Sequence, residues 1–170
     1  VPGVDLLLGT RAEKIEPEKH SVTDSEGNSL GYEKLLLATG GKPRTLDLPE
    51  TDVLYFRTLG DWEKLRQWSE QNDRFAIIGG SFIGSELAAA LASNGKKVVM
   101  VFPEACVGAL VFPADLSQSL CAYYAERGVR VVSGRMVEGI EEAGGARRLH
   151  IGDGQTVDVD RIAAGVGIVP

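Results

Sequence analysis

Gly79, Ser81 and Gly84, in the run "RFAIIGGSFIGSELAAAL" at residues 74–91, stand at the spacing of a phosphate-binding turn. In such a turn the first glycine permits a tight strand-to-helix bend. The second lets backbone approach a pyrophosphate, and the third allows helix and strand to pack closely. The helix that follows points unpaired N–H groups and the positive end of its dipole at the phosphates. Gly80 beside the serine relaxes the turn. Ser81 puts a Cβ and a hydroxyl where the second glycine usually sits, so it either pushes a ligand outward or donates a hydrogen bond to a phosphate oxygen.

About 20 residues beyond the last glycine, an acid commonly takes the adenosine ribose hydroxyls. Glu104 stands there, after Phe102 at the strand tip and Pro103. A 2′-phosphate calls for arginine or lysine, and "FPEACVGALVFPADL" has neither, which favours NAD(H) over NADP(H). Lys96 and Lys97 lie at the wrong end of that strand to serve. The two cysteines, Cys106 and Cys121, form no close sequence pair and read as reduced thiols. His20 and His150 lie in polar, hairpin-like stretches and read as solvated.

The elements that must hold these residues are legible from periodicity. From Arg74 the order is strand 74–79, helix 81–95, strand 96–102, helix 113–128 and strand 129–134, a β-α-β-α-β alternation that implies a parallel sheet covered by helices. Gly95 and Gly128 sit where helices end on glycine caps. Residues 60–72 read as an amphipathic helix with Asp61 as N-cap and Trp62, Leu65 and Trp68 as packing residues. The first third reads as a small β-meander broken by "EPEKH" and "SEGNS". Leu35 to Ala38 reads as a strand buried on both faces, and the polar, proline-containing residues 42–52 as a linker or domain crossing. The tail reads as short strands joined at "AGGAR" and "GDGQ", with "RIAAGVG" rejoining the sheet. The fold class is α/β: a Rossmann-like NAD(P)-binding domain, with the βαβαβ parallel sheet plus a β-meander.

Bulk properties bound the function. The chain has 170 residues, 44% of them apolar, with a net charge of −6. That composition supports a globular core and argues against a general nucleic-acid binder, which needs a basic face. No apolar run reaches the roughly 18 residues of a membrane span, and "VPGVDLLLG" lacks a signal peptide's positive flank.

Three segments together, "YEKLLLATGGKPR", "IIGGSFIGSELAAAL" and "AAGVGIVP", make the chain resemble the FAD-dependent pyridine nucleotide-disulfide oxidoreductase superfamily over essentially its whole length. "YFRTLGDWEKL" and "VFPE" make it similar to the branch of ferredoxin reductases and apoptosis-inducing factor. The resemblance implies an NADH domain, residues 51–170, inserted into an FAD domain, of which residues 1–50 are a β-rich piece that includes the ATG crossing. It implies that Ala38, Thr39 and Gly40 pack against FAD, that Arg44 approaches the flavin cofactor, and that Ala12 makes a backbone contact with the adenine end. Phe82 and Ile83 would line the nicotinamide pocket. Glu86 would lie near the nicotinamide, paired with a lysine of the FAD domain, and also in the first turn of its helix, where an acid is stabilised anyway. The backbone of Gly167 would pass beside the nicotinamide.

The family's earlier glycine turn for FAD is missing, so the chain reads as a fragment that is inactive alone. The parent would pass hydride from NADH to flavin, and electrons then to a ferredoxin-like redox protein or a small acceptor, with no acid–base catalyst. Two alternatives stay open: an NADH-responsive interaction module of slow turnover, similar to apoptosis-inducing factor, and a nucleotide sensor without chemistry. The implied partners are NADH, the remainder of the FAD domain and an electron acceptor, with a homodimer also open. The expected compartment is cytoplasmic or, alternatively, mitochondrial.

Overall fold

A computed structural model describes residues 3–48 and 53–170. The chain divides into two compact units, Val1–Gly40 and Gly41–Pro170. The division expected between residues 50 and 51 lies outside the described residues.

In the first unit, strands β1 (Ala12–Glu16), β2 (Ser21–Asp24) and β3 (Ser29–Gly31) form an antiparallel meander. A single helical turn at Pro17–Lys19 joins β1 to β2, and His20 closes it with a left-handed backbone while its ring stacks on Tyr32 at 5.5 Å. The 25–28 turn is tied by Asp24, whose carboxylate accepts from the amides of Glu26 and Asn28. The expected buried strand at Leu35–Ala38 does not form: these residues have no regular structure, and Leu36 is 87% exposed. A strand apolar on both faces needs a sheet neighbour and two covering layers, and none of the described strands pairs with it.

The second unit begins with β4 (Lys42–Pro43), β5 (Val53–Tyr55) and helix α1 (Leu59–Gln71). The N-cap of α1 is Thr58, not Asp61. Asp61 is the third helical residue, and the two close a reciprocal capping box, with Thr58 Oγ1 accepting from the Asp61 amide and the Asp61 carboxylate from the Thr58 amide. Leu65 and Trp68 are buried as expected. Trp62 instead stays 46% exposed, its ring facing the Arg66 guanidinium, because the buried stripe of α1 begins a turn later.

Next come β6 (Arg74–Ile78), α2 (Phe82–Ser93), β7 (Lys97–Phe102), α3 (Ala114–Glu126), β8 (Val129–Ser133), β9 (Val137–Ala143), β10 (Ala146–Ile151), β11 (Gln155–Val159), β12 (Arg161–Ala164) and β13 (Ile168–Val169). The parallel sheet runs β5-β12-β6-β7-β8, so "RIAA" does rejoin it, and β9, β10 and β11 form an antiparallel meander through the two expected turns. Gly95 and Gly128 follow α2 and α3 with φ of 76° and 81°, as glycine caps should.

Beyond their first residues, Arg74, Lys97 and Arg161, the central strands β6, β7 and β12 are apolar because both faces are covered. Phe75, Ile77, Val98, Met100 and Phe102 join the core with Leu65, Trp68, Leu87 and Leu91 of the helices. Ala76, Ile78, Val99 and Val101 alternate onto the other face against Ile140, Leu149 and Ile151 of the meander. Three layers result: helices, parallel sheet and antiparallel meander. Phe75, Ile77 and Met100 are fully buried, each contributing about 1.5–3 kcal/mol of transfer free energy.

Candidate functional site: a glycine cleft at the carboxyl ends of the sheet

The turn from β6 to α2 is built from backbone packed on backbone. Gly79 has φ of 114°, and a Cβ there would strike the carbonyl of Gly165, in the segment leaving β12. A Cβ on Gly84 would strike the Gly79 carbonyl. At Gly80 it would lie 2.7 Å from Cγ of Phe102, whose buried ring forms the floor of the turn. Glycine is therefore required at 79, 80 and 84, since at each a side chain meets backbone or a fixed ring.

Ser81 is different. Its backbone is extended, with φ of −86°, and the residue is exposed, so a Cβ fits. Its hydroxyl donates to the Gly165 carbonyl at 3.0 Å. That partner is neither of the two outcomes read from the sequence, because the tertiary fold brings Gly165 within reach. As the residue before α2, Ser81 makes no side-chain cap, which leaves the first-turn amides of α2 without a side-chain acceptor.

Around this turn lie two cavities. One, of about 460 Å³, is bordered by Gly79, Gly80, Ser81, Phe102, Glu104, Arg44 and Gly167. It unites seven of the residues singled out from the sequence, drawn from four separate segments, at the carboxyl ends of parallel strands, where ligands of open α/β sheets bind. The other, of about 270 Å³, is an apolar recess between Phe82, the 107–112 loop and α3; Phe82 and Phe112 meet edge to face at 6.0 Å. Ile83 and Gly84 are in the first turn of α2, with Gly84 buried and Ile83 packed on the core. Glu86 is exposed and falls in the second turn, so the expected first-turn stabilisation does not apply, because the dipole effect fades beyond the terminal turn.

Arg44 is held by the crossing strands. β4 and β13 pair antiparallel, the Arg44 amide donates to the Gly167 carbonyl at 3.0 Å, and its Nε donates to the Ile168 carbonyl at 3.3 Å. A Cβ on Gly41 would come 2.5 Å from the Val169 carbonyl, so this pairing also depends on a glycine. Ala12 opens β1, while Ala38, Thr39 and Gly40 are exposed and irregular; all four belong to the first unit.

Sequence reasoning overlooked Arg135, Met136, Leu110 and Gly165, which also border the larger cavity. The available signal was positional: residues just beyond β8 belong to the same carboxyl edge as Glu104. It likewise passed over the meeting of Cys106 and Cys121. The Cys121 sulfur accepts from the amide of Val107, and burial, then contact with Cys106, pushes its thiol up to about 11. Both cysteines are free in the structure. His150 lies within 3.3 Å of the Glu141 carboxylate on the exposed meander face. Among the described residues no histidine, cysteine and carboxylate cluster suits a metal, and no helix is long and apolar enough to cross a membrane.

The arrangement suits a dinucleotide. The glycine turn leaves bare backbone at the cavity edge, Glu104 borders the same cavity with Gly167, and Phe82 lines the neighbouring recess.

Monodehydroascorbate reductase 3 of Arabidopsis thaliana is 31% identical over 99% of this chain and 41% of its own length. The 5,5'-dehydrodivanillate O-demethylase ferredoxin reductase subunit of a Sphingobium strain is 35% identical over 99% of this chain and 42% of its own. A ferredoxin reductase crystal structure from Rhodopseudomonas palustris superposes with a TM-score of 0.82 at 32% identity, over 96% of this chain and 41% of that one. The chain thus spans about two fifths of these relatives' length. With the family model matching residues 1–170, this chain belongs to the pyridine nucleotide-disulphide oxidoreductase family.

Proposed function

We propose that this chain is the NADH-binding portion of an FAD-dependent oxidoreductase that passes hydride from NADH to flavin and then electrons to a redox protein or small acceptor. The observation that carries the reading is the single cavity joining the Gly79–Ser81 turn to Glu104 and Arg44. The amides of the first α2 turn hold the pyrophosphate, Glu104 accepts from the adenosine ribose hydroxyls, and Phe82, Ile83 and Gly167 border the nicotinamide. NADH is preferred because a 2′-phosphate would meet the Glu104 carboxylate. NADH supplies the hydride; the chain's own part is to orient the ring and exclude water, with no proton transfer required of any residue.

The described residues hold one glycine cradle, which one dinucleotide fills, so flavin bound at the same time needs another. We place that site in the part of the longer relatives that this chain does not match, with Ala12, Ala38, Thr39, Gly40 and Arg44 as its contribution. The chain alone then binds NADH weakly without reductase turnover, and residues 1–50 and 51–170 remain the proposed flavin and nicotinamide portions. A ferredoxin-type acceptor is supported by the two relatives named as ferredoxin reductases.

Calorimetric titration with NADH tests the reading. Saturable binding that is lost in Gly84→Val, with the variant still folded by circular dichroism, is the expected result. Equal binding by both proteins would remove the site from this cleft.

A further inference from the structure

The sequence near Glu104 contains no cation, but the fold supplies one from elsewhere. The pairing of β7 with β8 ends at Phe102 and Ser133, and the chains stay zipped beyond it: the Gly134 amide donates to the Glu104 carbonyl at 2.8 Å and the Arg135 amide to the Phe102 carbonyl at 3.1 Å. Gly134, with φ of 67°, turns the chain there. Arg135 therefore stands beside Glu104 on the neighbouring strand tip, roughly one strand spacing of ~4.8 Å away, and both border the same cavity.

The guanidinium is not idle. Its Nη2 meets the Asp153 carboxylate at 2.5 Å, and its Nη1 donates to the Gly134 carbonyl at 3.0 Å. Asp153 sits at the tip of the β10–β11 turn with φ of 70°, a conformation that aspartate and asparagine tolerate better than most residues. The turn is itself fixed to this edge, since the Gly152 amide donates to the Met136 carbonyl at 3.1 Å. The Arg135 side chain is 42% exposed, so it can swing between Asp153 and the cavity.

We propose that Arg135 is a second specificity residue for the adenosine end, held back by Asp153, so that discrimination against 2′-phosphorylated nucleotides depends on the Arg135–Asp153 pair as well as on Glu104. This rests on the reading of the cleft as a nucleotide site. A 2′-phosphate repelled by Glu104 lies within reach of a long side chain on the next strand, and a planar guanidinium can grip it through two hydrogen bonds. While Asp153 neutralises that guanidinium, the attraction is cancelled and Glu104 prevails. The specificity is then a contest among three side chains from three connections of the fold.

Calorimetry with NAD⁺ and NADP⁺, which differ only by the 2′-phosphate, tests this. Asp153→Asn keeps the turn and releases the cation, so NADP⁺ should bind about 5–10-fold tighter while NAD⁺ changes less than about twofold. Arg135→Ala added to Asp153→Asn should abolish that gain. A gain shared equally by both nucleotides, no gain, or a gain that survives in the double variant would overturn the proposal. Failure of the unmodified chain to bind either nucleotide would overturn the nucleotide reading itself, an outcome distinct from the other three.

Discussion

The two ends of the five-stranded sheet are held by different forces. At the carboxyl end, Gly79, Gly84 and Gly165 bring three backbone segments into contact with no side chain between them. At the amino end, Asp160 acts as a hub: its carboxylate accepts from the amides of Asp73 and Arg74 and from the Arg74 guanidinium, at 2.6 Å for the shortest contact. Lys96 pairs with Asp73 beside it, and Arg148 grips Asp158 by two hydrogen bonds. One end forgoes side chains and leaves backbone bare at the cavity edge. The other end is tied by charged side chains.

If that contrast is right, the largest effect should come from filling the carboxyl-end contact. Gly84→Ala drives a Cβ into the Gly79 carbonyl, and backbone cannot yield as a flexible side chain can. We expect at least about 2 kcal/mol of destabilisation in denaturant melts and a loss of NADH affinity of about thirtyfold or more by calorimetry. An alanine variant as stable as the parent would break the comparison at its firmer end.

Asp160→Asn should behave in the opposite way, costing stability of about 1 kcal/mol after allowance for solvent screening, with NADH affinity unchanged within about twofold. Its pH dependence gives the sharper check. Burial would raise the Asp160 pKa, but hydrogen bonds from Arg74 and the Asp73 and Arg74 amides outweigh it and hold the pKa below the ordinary value. A depressed folded-state pKa means that its stabilisation is present at neutral pH and fades as pH falls through and below the usual carboxylate range. Melting temperatures of parent and variant should therefore differ at pH 7 and converge in acid; a constant gap would show that the charge is not the cause.

The smallest effect belongs to Ser81. Ser81→Gly removes one hydrogen bond to Gly165 and restores the usual glycine. A shift in NADH dissociation constant of about twofold is expected, together with about 0.5 kcal/mol lost in stability. An unchanged constant would mean that the serine affects only the scaffold.

The parts that were legible in the sequence share a physical trait: their signals are local. Strand runs such as "FAII" and "VVMVF", helix-ending glycines at 95 and 128, and the turns at 144–145 and 152–154 depend on neighbours a few residues away. The glycine turn and Glu104 were legible for the same reason, because their spacing follows one β-α-β unit. Where expectation and structure part, a longer-range partner decides. Asp61 looked like a cap until Thr58 claimed that place, and Leu35–Ala38 looked like a buried strand although no described strand pairs with it.

From the sequence alone came the alternation of elements, the glycine turn, the placing of Glu104 after β7 and the family resemblance, since each is written in spacing along the chain. Tertiary structure decided which groups meet across it. It set the Ser81 hydroxyl on Gly165, paired β4 with β13, and brought Arg135, itself paired with Asp153, to the cavity that Glu104 borders. Ser81 and Gly165 are 84 positions apart, Lys42 and Val169 are 127 apart, and Glu104 and Arg135 are 31 apart. No local propensity encodes such meetings, because they exist only once the sheet has brought its carboxyl ends to one edge.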